Sequence, residues 1–265
     1  MDSLSHMLEY RQRPAEAVLT KFALRCVSEL TRTHRIESGE PQRDVLHLLI
    51  RHAMTGEQGA LTELYGMIQH KGVSAEQVVD VYLPAAIDRI GADWHECEMD
   101  VLQTSIALSR LQGLLRELGR AWISDRVGHT SGPCVLLALP AGEQHTLGTM
   151  IAANQLRRVG VSVKLCLVPT QGHLQKLLSE SRYSAVFLSC SNRSCLASCA
   201  ELIKTIRDYS GQGMPVVCGG GIVAEMGQEM TSRALAAQIG AGLATADISE
   251  ALAFIGGQSR QFAAE

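Results

Sequence analysis

Apolar residues recur at three- and four-residue intervals through positions 14–122, which is the spacing of amphipathic helices. One predicted helix follows Pro41 and has an apolar face formed by Val45, Leu46, Leu49 and Ile50. A second has a face formed by Leu61, Leu64, Tyr65 and Ile68. A third follows Ser74 and Gln77, which have the spacing of a capping box. The longest is predicted over 100–122, with an apolar stripe formed by Val101, Leu108, Leu111, Leu115 and Leu118.

Short connections between these four helices predict a four-helix bundle over 41–128. An N-terminal helical extension over 1–40, with a helix at about 14–32, precedes it. The pattern changes after the break at 131–133. Five apolar runs follow, at 134–140, 161–168, 184–190, 214–220 and 240–246. Helices are predicted between and after them, at 146–158, 171–181, 195–209, 223–238 and 247–256.

Continuous apolar strands that alternate with helices are typical of a parallel sheet covered on both faces. The fold class is therefore α/β, with a flavodoxin-like, five-stranded, parallel, doubly wound sheet preceded by an all-α four-helix bundle. The α/β domain is predicted over 131–258, with strand order 2-1-3-4-5.

Composition narrows the functional classes. A hydrophobic fraction of 46% excludes a disordered chain, and a net charge of −3 with scattered Lys and Arg does not indicate a DNA-binding surface. No apolar run approaches the roughly 20 residues of a membrane span, and the N-terminus lacks the order of a signal peptide, so we expect a cytoplasmic protein. The eight cysteines form no CxxC pair; we expect reduced thiols, mostly buried as small hydrophobic side chains.

Ligands of such sheets bind beyond the carboxyl ends of the strands, at the switch point between the first and third strands. The loops predicted to converge there are 141–148, 189–194 and the glycines 219–221. Glu143 lies two residues before His145, so its carboxylate can accept one imidazole N–H and make the other nitrogen a better metal ligand. Alternatively, His145 faces water at a helix start, and the glycines form a simple turn or admit a flat ligand. The first loop has neither the P-loop nor the GxGxxG pattern.

The helical half contains a polar break in its stripe. Thr104 lies between Val101 and Leu108, with Ser105 beside it. These hydroxyls either bond back to their own helix or face a polar ligand. Trp94, just before this helix, either packs against neighbouring side chains or covers a cofactor. The adjacent residues 95–98 do not share one helical face, which argues against a metal cluster there.

The segment Glu143-Gln144-His145-Thr146-Leu147-Gly148 resembles the D/E-x-H-x-x-G signature of cobalamin-binding domains. The S-x-L and G-G motifs of that family have counterparts at 189–191 and in Gly219-Gly220. The resemblance covers about residues 40–256, including the bundle, which looks like the family's cap. It implies that His145 replaces the dimethylbenzimidazole of the cofactor as the lower cobalt ligand. The displaced tail would then pass Gly148, Ser189 and the glycines Gly219, Gly220 and Gly221, with Trp94 over the upper face.

Two departures from the family pattern alter this expectation. Ser191 stands where S-x-L has Leu, which should change packing near the tail. Cobalamin photoreceptor repressors of the CarH type have W-x9-E-H, whereas counting from Trp94 leads here to Thr104-Ser105. The resemblance therefore implies that the two hydroxyls face the upper side of the corrin, and it favours the aqua or hydroxo form of cobalamin over the adenosyl form.

The stretch from Asp93 to Arg120, together with 140–148, looks closest to the AerR/PpaA antirepressors of purple photosynthetic bacteria. That resemblance implies a cobalamin-binding, light-responsive transcriptional antirepressor that acts on a redox-responsive, CrtJ/PpsR-type repressor of photosystem genes. We therefore expect no enzymatic activity, no membrane association and no direct sequence-specific DNA binding. Haem remains a second cofactor candidate. The rival functions are a corrinoid methyl-carrier for a methyltransferase and a metal-free flavodoxin-like protein, although the first loop is not Ser/Thr-rich as in flavodoxins.

Overall fold

The computed structural model describes residues 41–55, 60–96, 98–124 and 133–261, which fall into a helical unit and an α/β unit. The predicted extension over 1–40, with its helix at 14–32, lies outside the described residues, as do Cys26 and Cys97. None of the helices in the described ranges combines the length and hydropathy needed to span a bilayer.

The helical unit has the four helical segments that the apolar pattern predicts. These are α1 (Arg43–Thr55), α2 (Ala60–His70), a third segment and α5 (Val101–Ser124). The third segment joins α3 (Ala75–Gln77), a π-helical turn (Val78–Tyr82) and α4 (Leu83–His95). The predicted capping box is confirmed, because Ser74 Oγ accepts the Gln77 N–H while Gln77 Oε1 accepts the Ser74 N–H. Pro84 lies in the first turn of α4, directly after the π turn, where its lack of an N–H is tolerated.

The predicted stripe of α5 is wrong at its N-terminal end. Leu111, Leu115 and Leu118 are buried, but Val101 is 68% exposed, and Leu108 is only half-buried. The reason is length: α5 has 24 residues, whereas α1 and α4, which pack against it, have 13 each. At about 1.5 Å per residue, α5 must extend beyond both.

The α/β unit contains β1 (Cys134–Leu139), β2 (Ser162–Leu167), β3 (Ala185–Ser189), β4 (Val216–Gly219) and β5 (Leu243–Ala244). All pair in parallel, and the order β2-β1-β3-β4-β5 confirms the prediction. Alternate side chains of each central strand enter two cores. Leu136 and Ala138 of β1 belong to one core, and Val135 and Leu137 to the other, so both faces of the sheet are covered.

Helices connect the strands close to the predicted positions. They are α6 (Thr146–Arg158), α7 (Gln171–Glu180), α8 (Leu196–Ser210), α9 (Ile222–Met226), α10 (Ser232–Ile239) and α11 (Ile248–Gln261). The single helix predicted over 223–238 is wrong, because the chain there forms α9 and α10. Gly227 caps the end of α9, and the Thr231 side chain accepts the Ala234 N–H to start α10, so capping chemistry breaks the helix.

Candidate functional site

The loop between β1 and α6 lies at the switch point, since β1 is flanked by β2 and β3. A turn after β1 has Gly142 in the left-handed region at φ +84°, and the Glu143 N–H donates to Pro140 O. This turn directs the Glu143 side chain inward, where it is completely buried, while His145 becomes the N-cap residue of α6.

The buried carboxylate of Glu143 joins two loops. Its Oε1 accepts the His145 backbone N–H at 2.8 Å and lies 2.6 Å from His145 Nδ1, and its Oε2 accepts the Ser191 N–H at 2.6 Å. Burial alone would raise the pKa of Glu143. The hydrogen bonds from His145 and Ser191 outweigh that effect and lower the pKa, so Glu143 is ionised at neutral pH.

The His145 ring has features expected of a surface histidine and features expected of a metal ligand. Its side chain is 62% exposed at a helix start, as in a simple surface histidine. However, the carboxylate engages Nδ1 and fixes the ring, which leaves Nε2 as the nitrogen available to a ligand. This carboxylate–imidazole pairing is common behind metal-bound histidines. Within the described residues no group of three His, Cys, Asp or Glu side chains is arranged to hold a metal.

The first turn of α6 presents both an open surface and a buried hydroxyl pair. Gly148 is exposed, and a Cβ added there would meet nothing within 4 Å. Thr149, which is 1% exposed, donates its hydroxyl to Ser189 Oγ at the end of β3, at 2.8 Å. Sequence reasoning identified Ser189 and missed Thr149. The sequence does show a hydroxyl residue directly after Gly148, the last residue of the first motif. The bond of Thr149 to Ser189, however, depends on how α6 packs on β3.

The glycines after β4 allow backbones to approach one another. A Cβ at Gly219 would lie 2.7 Å from Thr245 O, one at Gly220 would lie 2.5 Å from Cys190 O, and one at Gly221 would lie 3.2 Å from Ser191 O. Gly220 also has φ +102°. The glycines therefore form a close-packed turn. The glycines bring the ends of β3, β4 and β5 together beside the Glu143–His145 loop.

The other predicted residues of the α/β site differ in exposure. Gln144 is exposed, Thr146 and Ser191 are half-buried, and Leu147 is buried. Arg193 pairs with Glu225 and Glu229, which ties the loop after β3 to the chain after β4.

Thiols lie directly beneath this site. Cys190, Cys195, Cys199 and Cys218 are 0% exposed and belong to one core, as the sequence reasoning expected for most of the cysteines. Cys195 Sγ is the nearest atom to a Cβ added at Gly142. The pKa of Cys190 is raised by its hydrogen-bonded contact with Cys199 and by burial, and burial raises the pKa of Cys195.

Trp94, Thr104 and Ser105 lie in the helical unit. Trp94 is 44% exposed, with its ring centroid 5.0 Å from that of His95. Thr104 donates to Asp100 O at 2.9 Å and Ser105 to Val101 O at 2.7 Å, so both hydroxyls bond back to their own helix. A capping box that sequence reasoning missed, between Asp100 and Gln103, starts that helix.

The residues of the α/β site fit a corrinoid held by one imidazole. His145 has a fixed ring with a free Nε2, and the adjacent surface at Gly148 is open. The buried hydroxyl pair and the three closely packed glycines complete that edge of the sheet.

Comparison with known structures supports the fold. The monomethylamine corrinoid protein of Methanosarcina barkeri superposes with a TM-score of 0.59 and 14% identity, over 79% of this chain and 93% of that one. A cobalamin-binding protein from Desulfitobacterium hafniense covers 78% of this chain and 95% of its own, at 15% identity, but its TM-score of 0.39 is too low to establish a shared fold.

Sequence comparison gives the family. No family model matches the chain. An uncharacterized 20.5 kDa protein in the bchF-crtJ intergenic region of Rhodobacter capsulatus is 37% identical over 177 residues, which are 67% of this chain and 89% of that protein. The chain therefore belongs to the family of this Rhodobacter capsulatus protein.

Proposed function

We propose that this chain is a cobalamin-binding, light-responsive transcriptional antirepressor, a binding protein rather than an enzyme. The observation that carries the proposal is the pairing of His145 Nδ1 with the buried Glu143 carboxylate at 2.6 Å, on a ring that is 62% exposed at the switch point of the sheet. A fold shared with a corrinoid protein at a TM-score of 0.59 supports it.

The chain's residues divide into three groups by role. His145 binds cobalt through Nε2, and Glu143 holds the ring while accepting the Ser191 N–H. The loops that carry Gly148, Ser189, Gly219, Gly220 and Gly221 accommodate the displaced tail, with Gln144, Thr146, Leu147 and Ser191 around them. Trp94, Thr104 and Ser105 are assigned to the upper face. When bound, cobalamin would supply light-sensitive ligand exchange at its cobalt ion.

The proposed partner is a CrtJ/PpsR-type repressor of photosystem genes. Support comes from the relative that is 37% identical, whose gene region is named for crtJ. To act as a switch, the chain must bind the repressor with different affinity in its two states. A difference of about 1.4 kcal/mol changes that affinity tenfold.

A corrinoid methyl-carrier is the second candidate, and one observation favours it. The solved structure that superposes with a TM-score of 0.59 is a monomethylamine corrinoid protein. Both candidate functions need the His145 imidazole, so that residue does not distinguish them. A carrier passes its methyl group to an acceptor, whereas an antirepressor changes the affinity of a protein partner, so the two are separable by assay.

The first experiment is titration of the purified chain with hydroxocobalamin, followed by absorption spectroscopy. We expect a bound corrin whose spectrum changes in His145→Ala but not in His173→Ala, which removes another exposed imidazole of the same unit. A bound corrin that is insensitive to His145→Ala would refute the ligand assignment. A haem spectrum after parallel loading with haem, without corrin binding, would favour the other cofactor.

The second experiment measures repressor affinity in darkness and after illumination. We expect the cobalamin-loaded chain to change its affinity for the repressor on illumination and the His145→Ala variant not to change. Equal affinities in both conditions, together with methyl transfer from methylcobalamin on the protein to a thiol acceptor, would support the carrier instead.

A further inference from the structure

The buried hydroxyl of Thr149 leaves its own helix. Other hydroxyl side chains inside helices of this chain, such as Thr104 and Thr205, donate to the carbonyl four residues earlier. Thr149 instead donates across to Ser189 Oγ on β3, at 2.8 Å. Because that bond takes the place of the usual back-bond, the Thr149 hydroxyl is used to orient Ser189 instead of bonding within its own helix.

Burial makes this pairing specific. Thr149 is 1% exposed and Ser189 is 8% exposed, so water has little access to either hydroxyl. In the pair the Ser189 oxygen is the acceptor, which leaves its own O–H as a donor. Thr149 also directly follows Gly148, where a Cβ would meet nothing within 4 Å. The donor of Ser189 is thus held at the end of β3 by a residue that directly follows the exposed Gly148.

We infer that Thr149 is a positioning residue for the cofactor's nucleotide tail: by fixing the hydroxyl of Ser189, it makes Ser189 present its O–H to an acceptor on that tail. The inference rests on the proposed cobalamin function. The hydrogen bond of the Thr149 side chain goes to Ser189, whereas the hydrogen bonds that hold His145 come from Glu143. The effect of Thr149 is therefore confined to the tail.

A corrinoid without a tail tests this directly. Binding of hydroxocobalamin is compared with binding of cobinamide, which lacks the nucleotide, for the wild-type chain and for Thr149→Val, Thr149→Ser and Ser189→Ala. We expect Thr149→Val to weaken hydroxocobalamin binding about tenfold, the size of one hydrogen bond, and to leave cobinamide binding unchanged. Thr149→Ser should restore most of the affinity, and adding Ser189→Ala to Thr149→Val should cause little further loss.

Thr205→Val is the matched control, since Thr205 is also a buried helical threonine but its hydroxyl stays within α8. It should bind both corrinoids as the wild type does. Equal losses for cobinamide and hydroxocobalamin in Thr149→Val, or no loss for either, would overturn the inference. If Val is not tolerated at 149, Ser189→Ala must show the same selective loss for hydroxocobalamin. A wild-type chain that binds neither corrinoid would instead refute the proposed function itself.

Discussion

The backbone N–H of Ser191 donates to Oε2 of Glu143 at 2.6 Å, and this bond connects the loop after β3 to the loop that carries His145. The other carboxylate oxygen contacts both the backbone and the ring of His145. One buried side chain therefore determines the distance between two loops and the orientation of the imidazole. Ser191, where the S-x-L motif of cobalamin-binding domains has Leu, contributes through its backbone N–H, so this difference from the motif leaves the contact intact.

Glu143→Gln should destabilise the apo chain. A glutamine has only one acceptor oxygen, so its NH₂ must face either the Ser191 N–H or the His145 side, and a buried donor is left unpaired. We expect a loss of about 1–3 kcal/mol in the free energy of unfolding, measured by urea denaturation. Glu201→Gln is the control, since that carboxylate is exposed on α8 and should change stability by less than about 0.5 kcal/mol. Equal losses in the two variants would contradict the role assigned to Glu143.

Gly220→Ala should be more damaging than its small size suggests. The added Cβ would lie 2.5 Å from Cys190 O, and φ of +102° is unfavourable for any residue with a Cβ. Backbone strain of this kind costs roughly 1–3 kcal/mol, before any displacement of β3 from β4. Gly172→Ala, with nothing within 4 Å of the added Cβ, should be neutral or stabilising by up to about 1 kcal/mol. Thermal unfolding of both variants provides the measurement.

The sequence predicted the sheet well because its strands are continuous apolar runs bounded by breaks. The predicted run 134–140 became β1 (Cys134–Leu139), and 146–158 matched α6. The error over 223–238 arose because apolar spacing continues through Gly227 and Thr231, while capping bonds end one helix and begin another. Capping depends on side-chain geometry that periodicity does not report.

The site was predictable where it is local in sequence. The two-residue separation of Glu143 and His145 led directly to the observed pairing. The Thr149–Ser189 bond joins residues 40 positions apart and depends on the register of α6 against β3, which no sequence pattern specifies. The exposure of Val101 likewise depends on the unequal lengths of packed helices.

The thiols beneath the site should be unreactive in the folded chain. Cys190, Cys195, Cys199 and Cys218 are fully buried, and the raised pKa values of Cys190 and Cys195 keep these two as thiols at pH 7. We expect maleimide to label none of the four in native buffer over minutes and all four in urea, as measured by peptide mass spectrometry. Rapid native labelling of any of them would show that this core opens readily.

Arg110 should contribute strongly to the stability of the helical unit. Its Nη1 lies 2.7 Å from both Ala53 O and Met54 O, so a charged donor caps the carbonyls at the end of α1. Arg110→Met should lower the free energy of unfolding by about 1.5–3 kcal/mol, since it removes hydrogen bonds to a charged group. Arg116→Met, at an exposed position of the same helix, should have little effect. If the free energy of unfolding falls by the same amount in both variants, the loss in Arg110→Met does not come from the bonds that cap α1.

Substitutions at Thr104 and Ser105 of α5 should change the relative affinity of the chain for hydroxocobalamin and adenosylcobalamin. Where CarH-type proteins have Glu-His, this chain has Thr104-Ser105, whose hydroxyls are used within their own helix. We therefore expect the wild-type chain to bind hydroxocobalamin more tightly than adenosylcobalamin, and T104E/S105H to narrow that difference by raising adenosylcobalamin affinity. Ser105 is exposed, so a larger side chain has room there.

The double variant R116E/E117H is the control, because it places the same Glu-His pair at exposed positions farther along α5 and should leave the relative affinity for the two cobalamins unchanged. Titration of each variant with both cobalamins in darkness measures the ratio. A wild-type chain that binds adenosylcobalamin as tightly as hydroxocobalamin would show that Thr104 and Ser105 do not set the upper-ligand preference.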